Sequence, residues 1–235
     1  MVIYILDYNY ISSAEDIIDF CNIISYILKC ESYISDIKIK KLLEKFIKDI
    51  NRNNLNGNEI IVIVTNLLRN NFTKKIFSKL IDVLISLCDS ETFYLTLFES
   101  LSNPILILIN NIDCKDYKIK KKVLVALGKL CEKQQLKIGN ELAKNQIFNK
   151  IKYAIDPNDA YCRDDSIIIL CLDIIKNMLI IGDFIKDMGG SNVHLEGFEN
   201  HGGKEMIERF LDNKNKEIYE KALEIYKEYF NKKDE

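Results

Sequence analysis

The sequence predicts an all-α protein in which similar helical units follow one another along the chain. Apolar residues recur at steps of three and four in segment after segment, which is typical of helices with one buried face. The 235 residues include only two prolines and nine glycines, too few turn formers for a sandwich or a barrel. A unit that cannot cover its own apolar face must stack on its neighbours, so the units would share one continuous core.

The segment from Lys214 to Phe230 predicts the clearest helix. Charged side chains occupy most of its surface, and its apolar residues fall on one face. These apolar residues are Ile218, Ala222, Ile225, Tyr226 and Tyr229. Because the helix has a single apolar stripe, it needs a neighbouring helix to cover that stripe.

Four further long helices are predicted from the same periodicity: Ser166–Ile181, Lys118–Cys131, Thr73–Leu87 and Lys38–Ile50. Their spacing of roughly 35 to 50 residues is the period of armadillo and HEAT repeats. Shorter helices are predicted between them, at Glu91–Leu101, Pro104–Asn110, Leu136–Lys144 and Gln146–Ile155. One long and two short helices per unit predict an armadillo-type right-handed superhelical solenoid of about five three-helix repeats. An irregular helical bundle is the alternative.

The chain is interpreted as a single armadillo-repeat domain, because no linker rich in proline, glycine or serine interrupts it. The approximate units are 1–54, 55–90, 91–133, 134–188 and 189–235. The longest apolar stretch, Ser166 to Ile185, contains Asp173, Lys176 and Asp183, so no membrane-spanning helix is expected.

Charge and cysteine usage limit the classes of partner and compartment. Lys and Arg number 33 against 35 Asp and Glu, and this balance predicts no nucleic-acid partner. The seven cysteines form no CxxC pair and are expected to be small buried side chains in a reducing compartment. The predicted location is therefore the cytoplasm and the nucleus.

No catalytic, cofactor-binding or metal-binding residues are identified, so the sequence predicts a non-enzymatic protein without a cofactor. Neither of the two Gly-rich phosphate-binding patterns, GxGxxG and GxxxxGK followed by Ser or Thr, occurs in the sequence. His194 and His201 are expected to be solvated in a Gly-rich connection before the last helices. The acidic residues around Pro157 are expected to be solvated loop and helix-capping residues: Asp156, Asp159, Asp164 and Asp165.

The stretch GGKEMIERFLDNKNKEIYEKALEIYKEYF, Gly202 to Phe230, resembles the final armadillo repeat of the importin-α family. The matching positions are Gly202, Gly203, Ile207, Glu208, Glu217, Ile218, Tyr219, Tyr229 and Phe230. The stretches NQIFNKIKYAI and DDSIIILCLDIIKNMLIIGD are similar to the penultimate repeat, and KIKKKVLVALGKL is similar to the third helix one repeat earlier. Five repeats would correspond to the C-terminal half of that family.

The resemblance implies a concave groove formed by the third helices of the repeats. In the family, a Trp and, one turn later, an Asn hold a basic nuclear localisation signal there. The corresponding residues are Val125 and Lys129, and the chain contains no tryptophan. Without indole rings, the groove loses its packing against the lysine stems of the signal peptide and its cation–π attraction. The charges of Lys122 and Lys129 would also repel a basic peptide. Val125, Lys129 and Lys122 are the candidate groove residues, and cargo signal peptides are expected to bind weakly.

The resemblance implies a non-enzymatic protein-binding adaptor for nuclear import and recycling through karyopherin-type receptors. In the family, the last repeat is part of the surface that the export receptor grips, so a karyopherin-β or export receptor is the implied partner. The alternative is an armadillo-repeat scaffold that bridges the subunits of a large assembly, because a groove without Trp and Asn is available for another use.

Overall fold

The computed structural model describes residues 74–89, 102–133, 135–156 and 164–231. Within these ranges every regular element is a helix and no strand occurs, so the predicted all-α class is confirmed. The predicted helices Lys38–Ile50 and Glu91–Leu101, and with them the unit 1–54, lie outside the described residues. The division into five repeats within a single domain stays a prediction.

The chain separates into two units, Met1–Pro104 and Ile105–Glu235. The described part of the first unit includes helix α1, Lys74–Asp89. Its buried residues Ile81, Leu84 and Cys88 follow one another at steps of three and four, as the sequence predicts for a helix with one apolar face.

The second unit contains the other described helices. In chain order these are α2 (Ser102–Asn110, which begins just before the boundary), α3 (Tyr117–Glu132), α4 (Leu136–Lys144), α5 (Ile147–Ala154), α6 (Asp165–Asp187), α7 (Val193–Asn200), α8 (Gly203–Glu208) and α9 (Lys216–Ile225). A π-helical turn, Tyr226–Phe230, continues α9. The predicted helix Leu136–Lys144 has the observed bounds.

Two successive triplets share the order short helix, short helix, long helix. The first is α4–α5–α6 and the second is α7–α8–α9. In both, a residue in the left-handed region precedes the second helix: Gln146 with φ 58° and Gly202 with φ 77°. Gly203 is buried beside Phe198, and a Cβ there would stand 2.5 Å from the ring. The glycine pair therefore supplies a left-handed turn and a close helix approach.

Helix α6 lies at the centre of the described core. It packs against α3, α4, α5, α7 and α9, and its fully buried residues include Ile167, Cys171, Leu172, Ile175 and Met178. Since α6 is covered by elements of both triplets and by α3, its long apolar sequence is explained without a membrane. No helix in the described ranges is long and apolar enough to cross one.

The segment before the last two helices is a helix, α7, and the expectation of a solvated histidine at position 194 is wrong. His194 is 1% exposed and lies one helical turn before the buried Phe198. A Cβ on Gly139 of α4 would stand 3.0 Å from His194 Nε2. His194 is buried because the helical period places it on the same face as Phe198. His201 is half-buried, and its Nδ1 lies 2.7 Å from the Gly197 carbonyl oxygen.

Candidate functional site

The long helices α3, α6 and α9 lie side by side with their N-terminal ends together. The Tyr117 hydroxyl at the start of α3 donates to Asp164 Oδ2 at 2.5 Å, and Asp164 caps α6. Asn215 caps α9, and its Nδ2 donates to Asp165 Oδ2 of α6 at 2.7 Å. Hydrogen bonds from the hydroxyls of Ser166 and Tyr117 lower the pKa of Asp164. We call the partly exposed and exposed residues of α3, α6 and α9 the third-helix face.

The three candidate groove residues lie together on this face. Lys122, Val125 and Lys129 follow one another at steps of three and four along α3, and all three are partly exposed. Lys118, one turn before Lys122, is exposed. The α3 part of the face is therefore a line of positive charges with an apolar side chain in its middle.

The residues of α6 that correspond to Val125 and Lys129 were missed from the sequence. Counted from the N-caps Asp116 of α3 and Asp164 of α6, the corresponding positions are Asp173 and Asn177. Asn177 is partly exposed, and no residue in the described ranges hydrogen-bonds to its side chain. An asparagine thus occupies the α6 position where the importin-α resemblance implies one. The repeated N-cap aspartates were the pattern that could have revealed it.

Polar pairs join the next two long helices, and we call them the α6–α9 seam. They are Asp165 with Asn215, Asp173 with Lys221, Lys176 with Glu224, and Asp183 with Tyr229. The Lys176 Nζ to Glu224 Oε1 distance is 2.6 Å. Because the charges alternate across the seam, each lysine of α6 or α9 in it faces a carboxylate of the other helix.

The C-terminal end of the seam is a hydrogen-bond network around Asp183. The Tyr229 hydroxyl donates to Asp183 Oδ2 at 2.7 Å, and Asn192 Nδ2 donates to Asp183 Oδ1 at 2.8 Å. Burial and the neighbouring Asp183 raise the pKa of Tyr229. The buried Asn192 also caps α7, because its Oδ1 accepts from the Leu195 N–H at 2.8 Å. The network fastens α6, α7 and the π turn together.

Apolar side chains alternate with polar ones along the α6 part of the third-helix face. Ile169, Leu170 and Ile180 are partly exposed, and Phe184 is 45% exposed. An amide group can donate and accept hydrogen bonds along a peptide backbone, and apolar side chains can receive side-chain stems. The face therefore has the parts that hold an extended polypeptide. No cluster of three potential metal-ligating side chains occurs in the described ranges.

Sequence comparison relates the chain to importin-α subunits. It is 34% identical over 77 residues to importin subunit alpha-4 of Arabidopsis thaliana, which is 32% of this chain and 14% of that protein. It is 32% identical over 71 residues to importin subunit alpha-1b of Oryza sativa subsp. japonica, 29% of this chain and 13% of the relative. The chain thus matches only a small part of the length of these relatives. No protein-family model matches it.

Two solved structures share the fold. A computationally designed armadillo repeat protein for modular peptide recognition superposes with a TM-score of 0.58 at 14% identity, covering 93% of this chain and 87% of the other. An engineered protein superposes with a TM-score of 0.55 at 10% identity, covering 85% of this chain and 76% of the other. The predicted armadillo-type fold is confirmed.

Proposed function

We propose that this chain, an armadillo-repeat protein with an importin-α-like segment, is a non-enzymatic adaptor that binds other proteins in nuclear transport. The observation that carries the proposal is the similarity to importin-α subunits, found on a chain with the armadillo fold. The proposed places of action are the cytoplasm and the nucleus. The third-helix face, with Lys122, Val125, Lys129 and Asn177, is the proposed peptide groove.

A second surface of the adaptor is the exposed side of the last triplet, where we place contact with a karyopherin-type receptor. Ile218, Ala222 and Ile225 are buried and hold α9 on the core. Tyr219, on the flank of the helix next to this buried stripe, is 37% exposed and stands among charged residues. A partly exposed tyrosine offers a large contact area at low entropy cost, which is typical of interface hot spots.

A pull-down with the whole chain from extracts of its own cells tests the adaptor function. We expect karyopherin-type receptors among the recovered proteins, and the Tyr219→Ala variant should reduce their recovery by about tenfold or more. Tyr153→Ala is the matched control, because Tyr153 is 58% exposed and belongs to α5, outside the last triplet. Recovery only of proteins unrelated to transport would contradict the proposal, once circular dichroism shows that both variants are folded.

The second candidate function is an armadillo-repeat scaffold that bridges the subunits of a large assembly. It is favoured by Val125 and Lys129, which stand where the family resemblance implies a Trp and an Asn. On this reading the chain co-purifies with one particle at fixed stoichiometry after gentle lysis. Sedimentation of the endogenous protein separates the two functions, because an adaptor is expected mostly outside such particles.

A further inference from the structure

The long helices α3, α6 and α9 have corresponding stripes of residues. Each stripe is formed by the fourth, eighth and eleventh residues after the N-cap, which is Asp116, Asp164 or Asn215. Steps of four and three place these residues on one side of the helix. The stripes are Lys120, Leu124 and Leu127 in α3, Ile168, Leu172 and Ile175 in α6, and Tyr219, Leu223 and Tyr226 in α9 and the first residue of its π turn.

In α3 and α6 this stripe is buried. Its residues are at most 4% exposed in α3 and at most 7% exposed in α6. Gly182 lies two helical turns after Ile175 on the same side of α6, and its added Cβ would stand 1.8 Å from Oδ1 of Asn192, the N-cap of α7. Helix α6 packs against both α7 and α9. The stripe is therefore the side on which a long helix meets the triplet that follows it.

In α9 the corresponding stripe is exposed to solvent, and we call it the outer stripe. Tyr219 is 37% exposed, and Leu223 and Tyr226 are partly exposed. Two tyrosines thus stand where α6 has two isoleucines. A tyrosine combines a large apolar ring with a hydroxyl group, so it suits a surface that is hydrated when free and buried when bound. The outer stripe is therefore a stacking surface that is open to a partner.

The charges beside the outer stripe are self-complementary. Glu220 and Lys227 are exposed on one edge of the stripe, three residues before and four residues after Leu223. Lys227 has no charged partner among the residues that the structure describes. Glu220 lies 3.4 Å from Lys216 in its own helix, but these side chains are 59% and 85% exposed, so the pair is weak. If two copies of the helix pack antiparallel about Leu223, Glu220 of each copy faces Lys227 of the other.

We infer that the outer stripe binds the outer stripe of a second copy of this chain, in an antiparallel two-fold contact. Leu223 meets its counterpart near the two-fold axis, and Tyr219 of one copy packs against Tyr226 of the other. Every pair occurs twice in such a contact. Because each copy contributes little more than one helix, the dimer is weak and reversible. The inference does not rest on the proposed adaptor function, but dimerisation and the proposed receptor contact both use Tyr219 and therefore exclude each other.

Sedimentation velocity of the full chain tests for the dimer. Over loading concentrations from about 5 to about 500 µM at low salt, we expect a reversible monomer–dimer equilibrium with a Kd on the order of 10–100 µM. Tyr219→Ala should weaken dimerisation by about tenfold or more, because both copies lose the ring. A single species of monomer mass over the whole range would overturn the inference. A dimer that Tyr219→Ala leaves unchanged would overturn the site.

Charge reversals test the antiparallel arrangement. Glu220→Lys alone and Lys227→Glu alone should each weaken dimerisation at low salt by about fivefold or more, because like charges then face each other twice. An equimolar mixture of the two variants should associate again, since one copy then carries two positive charges and the other two negative charges at the contact. A mixture that associates no better than its components would overturn the arrangement.

Lys186→Glu is the matched control for Lys227→Glu. It reverses the same charge at an exposed position near the C-terminal end of α6, and it should change the dimerisation constant by less than about twofold. Equal loss in both variants would mean that net charge governs association, which overturns the site. Circular dichroism checks that every variant is folded.

The receptor pull-down separates this inference from the proposed function. A chain that stays monomeric and recovers karyopherin-type receptors rejects the dimer and leaves the adaptor function in place. A chain that dimerises through the outer stripe but recovers only proteins unrelated to transport supports the dimer and rejects the adaptor function.

Discussion

The two flanks of α6 use their polar residues in opposite ways. On the flank toward α9, pairs such as Asp173 with Lys221 and Asp183 with Tyr229 satisfy polar groups within the chain. The flank toward α3 is tied at its N-terminal end by Tyr117 and Asp164, while the Asn177 amide keeps its hydrogen-bonding capacity. Polar groups that are already paired stabilise the fold, and those that are not can bind a partner.

The parts of the α6–α9 seam are expected to contribute unequally to stability. Its charged pairs are partly exposed, and such pairs typically contribute under about 1 kcal/mol each. The network around Asp183 includes the buried Asn192, and removing one member would leave other buried groups unsatisfied. We therefore expect the stabilising part of the seam to be its C-terminal end.

The largest expected effect on stability comes from a substitution that crowds the C-terminal end of the α6–α9 seam. Gly182 on α6 lies against Asn192, and an added Cβ would stand 1.8 Å from Asn192 Oδ1. Gly182→Ala should push Asn192 out of its hydrogen bonds to Asp183 and Leu195, and lower the free energy of unfolding by about 2–4 kcal/mol. Urea denaturation followed by circular dichroism measures the change.

Gly128→Ala on α3 is the matched control for this substitution. Gly128 also lies inside a long helix, but no atom outside the local backbone lies within 4 Å of its added Cβ. Alanine should stabilise this helix by up to about 1 kcal/mol through its higher propensity. If Gly182→Ala proved as harmless as Gly128→Ala, the close contact at the end of the seam would not be a source of stability.

Helical periodicity was sufficient to predict the long helices of the described ranges but not α7. The predicted Lys118–Cys131 lies within the observed Tyr117–Glu132, because regular apolar spacing marks a buried face wherever it is continuous. Helix α7 has only eight residues, and its buried residues are His194 and Phe198. A polar residue on the buried face of a short helix breaks the apolar pattern, so the sequence shows no helical period there.

The candidate groove residues were identified on α3 and the corresponding residues on α6 were missed for a related reason. KIKKKVLVALGKL mixes polar and apolar residues, so the partly exposed face of α3 is visible in its sequence. Apolar residues dominate α6, whose neighbours cover most of its circumference, and Asn177 does not stand out from helical periodicity alone. Its position becomes clear only once the N-caps Asp116 and Asp164 fix the register of the two helices.

A smaller effect is expected from the second buried polar residue of α7, which contrasts with Asn192. Among the residues that the structure describes, the ring nitrogens of His194 have no hydrogen-bond partner, and burial lowers the pKa of the side chain below its ordinary value. As the pH falls through about 6.5, the unfolded chain takes up a proton that the folded chain does not. The free energy of unfolding should therefore fall with pH, by up to about 1.4 kcal/mol per unit, until the lowered pKa is reached.

Urea denaturation between pH 7.5 and pH 5.5, values that bracket the ordinary histidine pKa of about 6.5, tests this contribution. The His194→Leu variant should keep its free energy of unfolding at pH 7.5. Toward pH 5.5, that free energy should decrease much less than in the unchanged protein. His201→Gln is the control, since His201 is only half-buried and its Nδ1 contacts the Gly197 carbonyl. An unchanged pH dependence in His194→Leu would show that other groups cause the acid sensitivity.

The smallest expected effect is the coupling between Asp173 and Lys221 in the middle of the seam. Their side chains are 38% and 27% exposed, so solvent screens the attraction. A double-mutant cycle with Asp173→Asn and Lys221→Gln should give a coupling free energy of about 0.3–1 kcal/mol that decreases as salt is added. A coupling well above this range would mean that the ion pairs, and not the network around Asp183, hold α9 on α6. In that case Gly182→Ala should be the milder substitution, so the two measurements together decide whether the middle or the C-terminal end of the seam stabilises the last triplet.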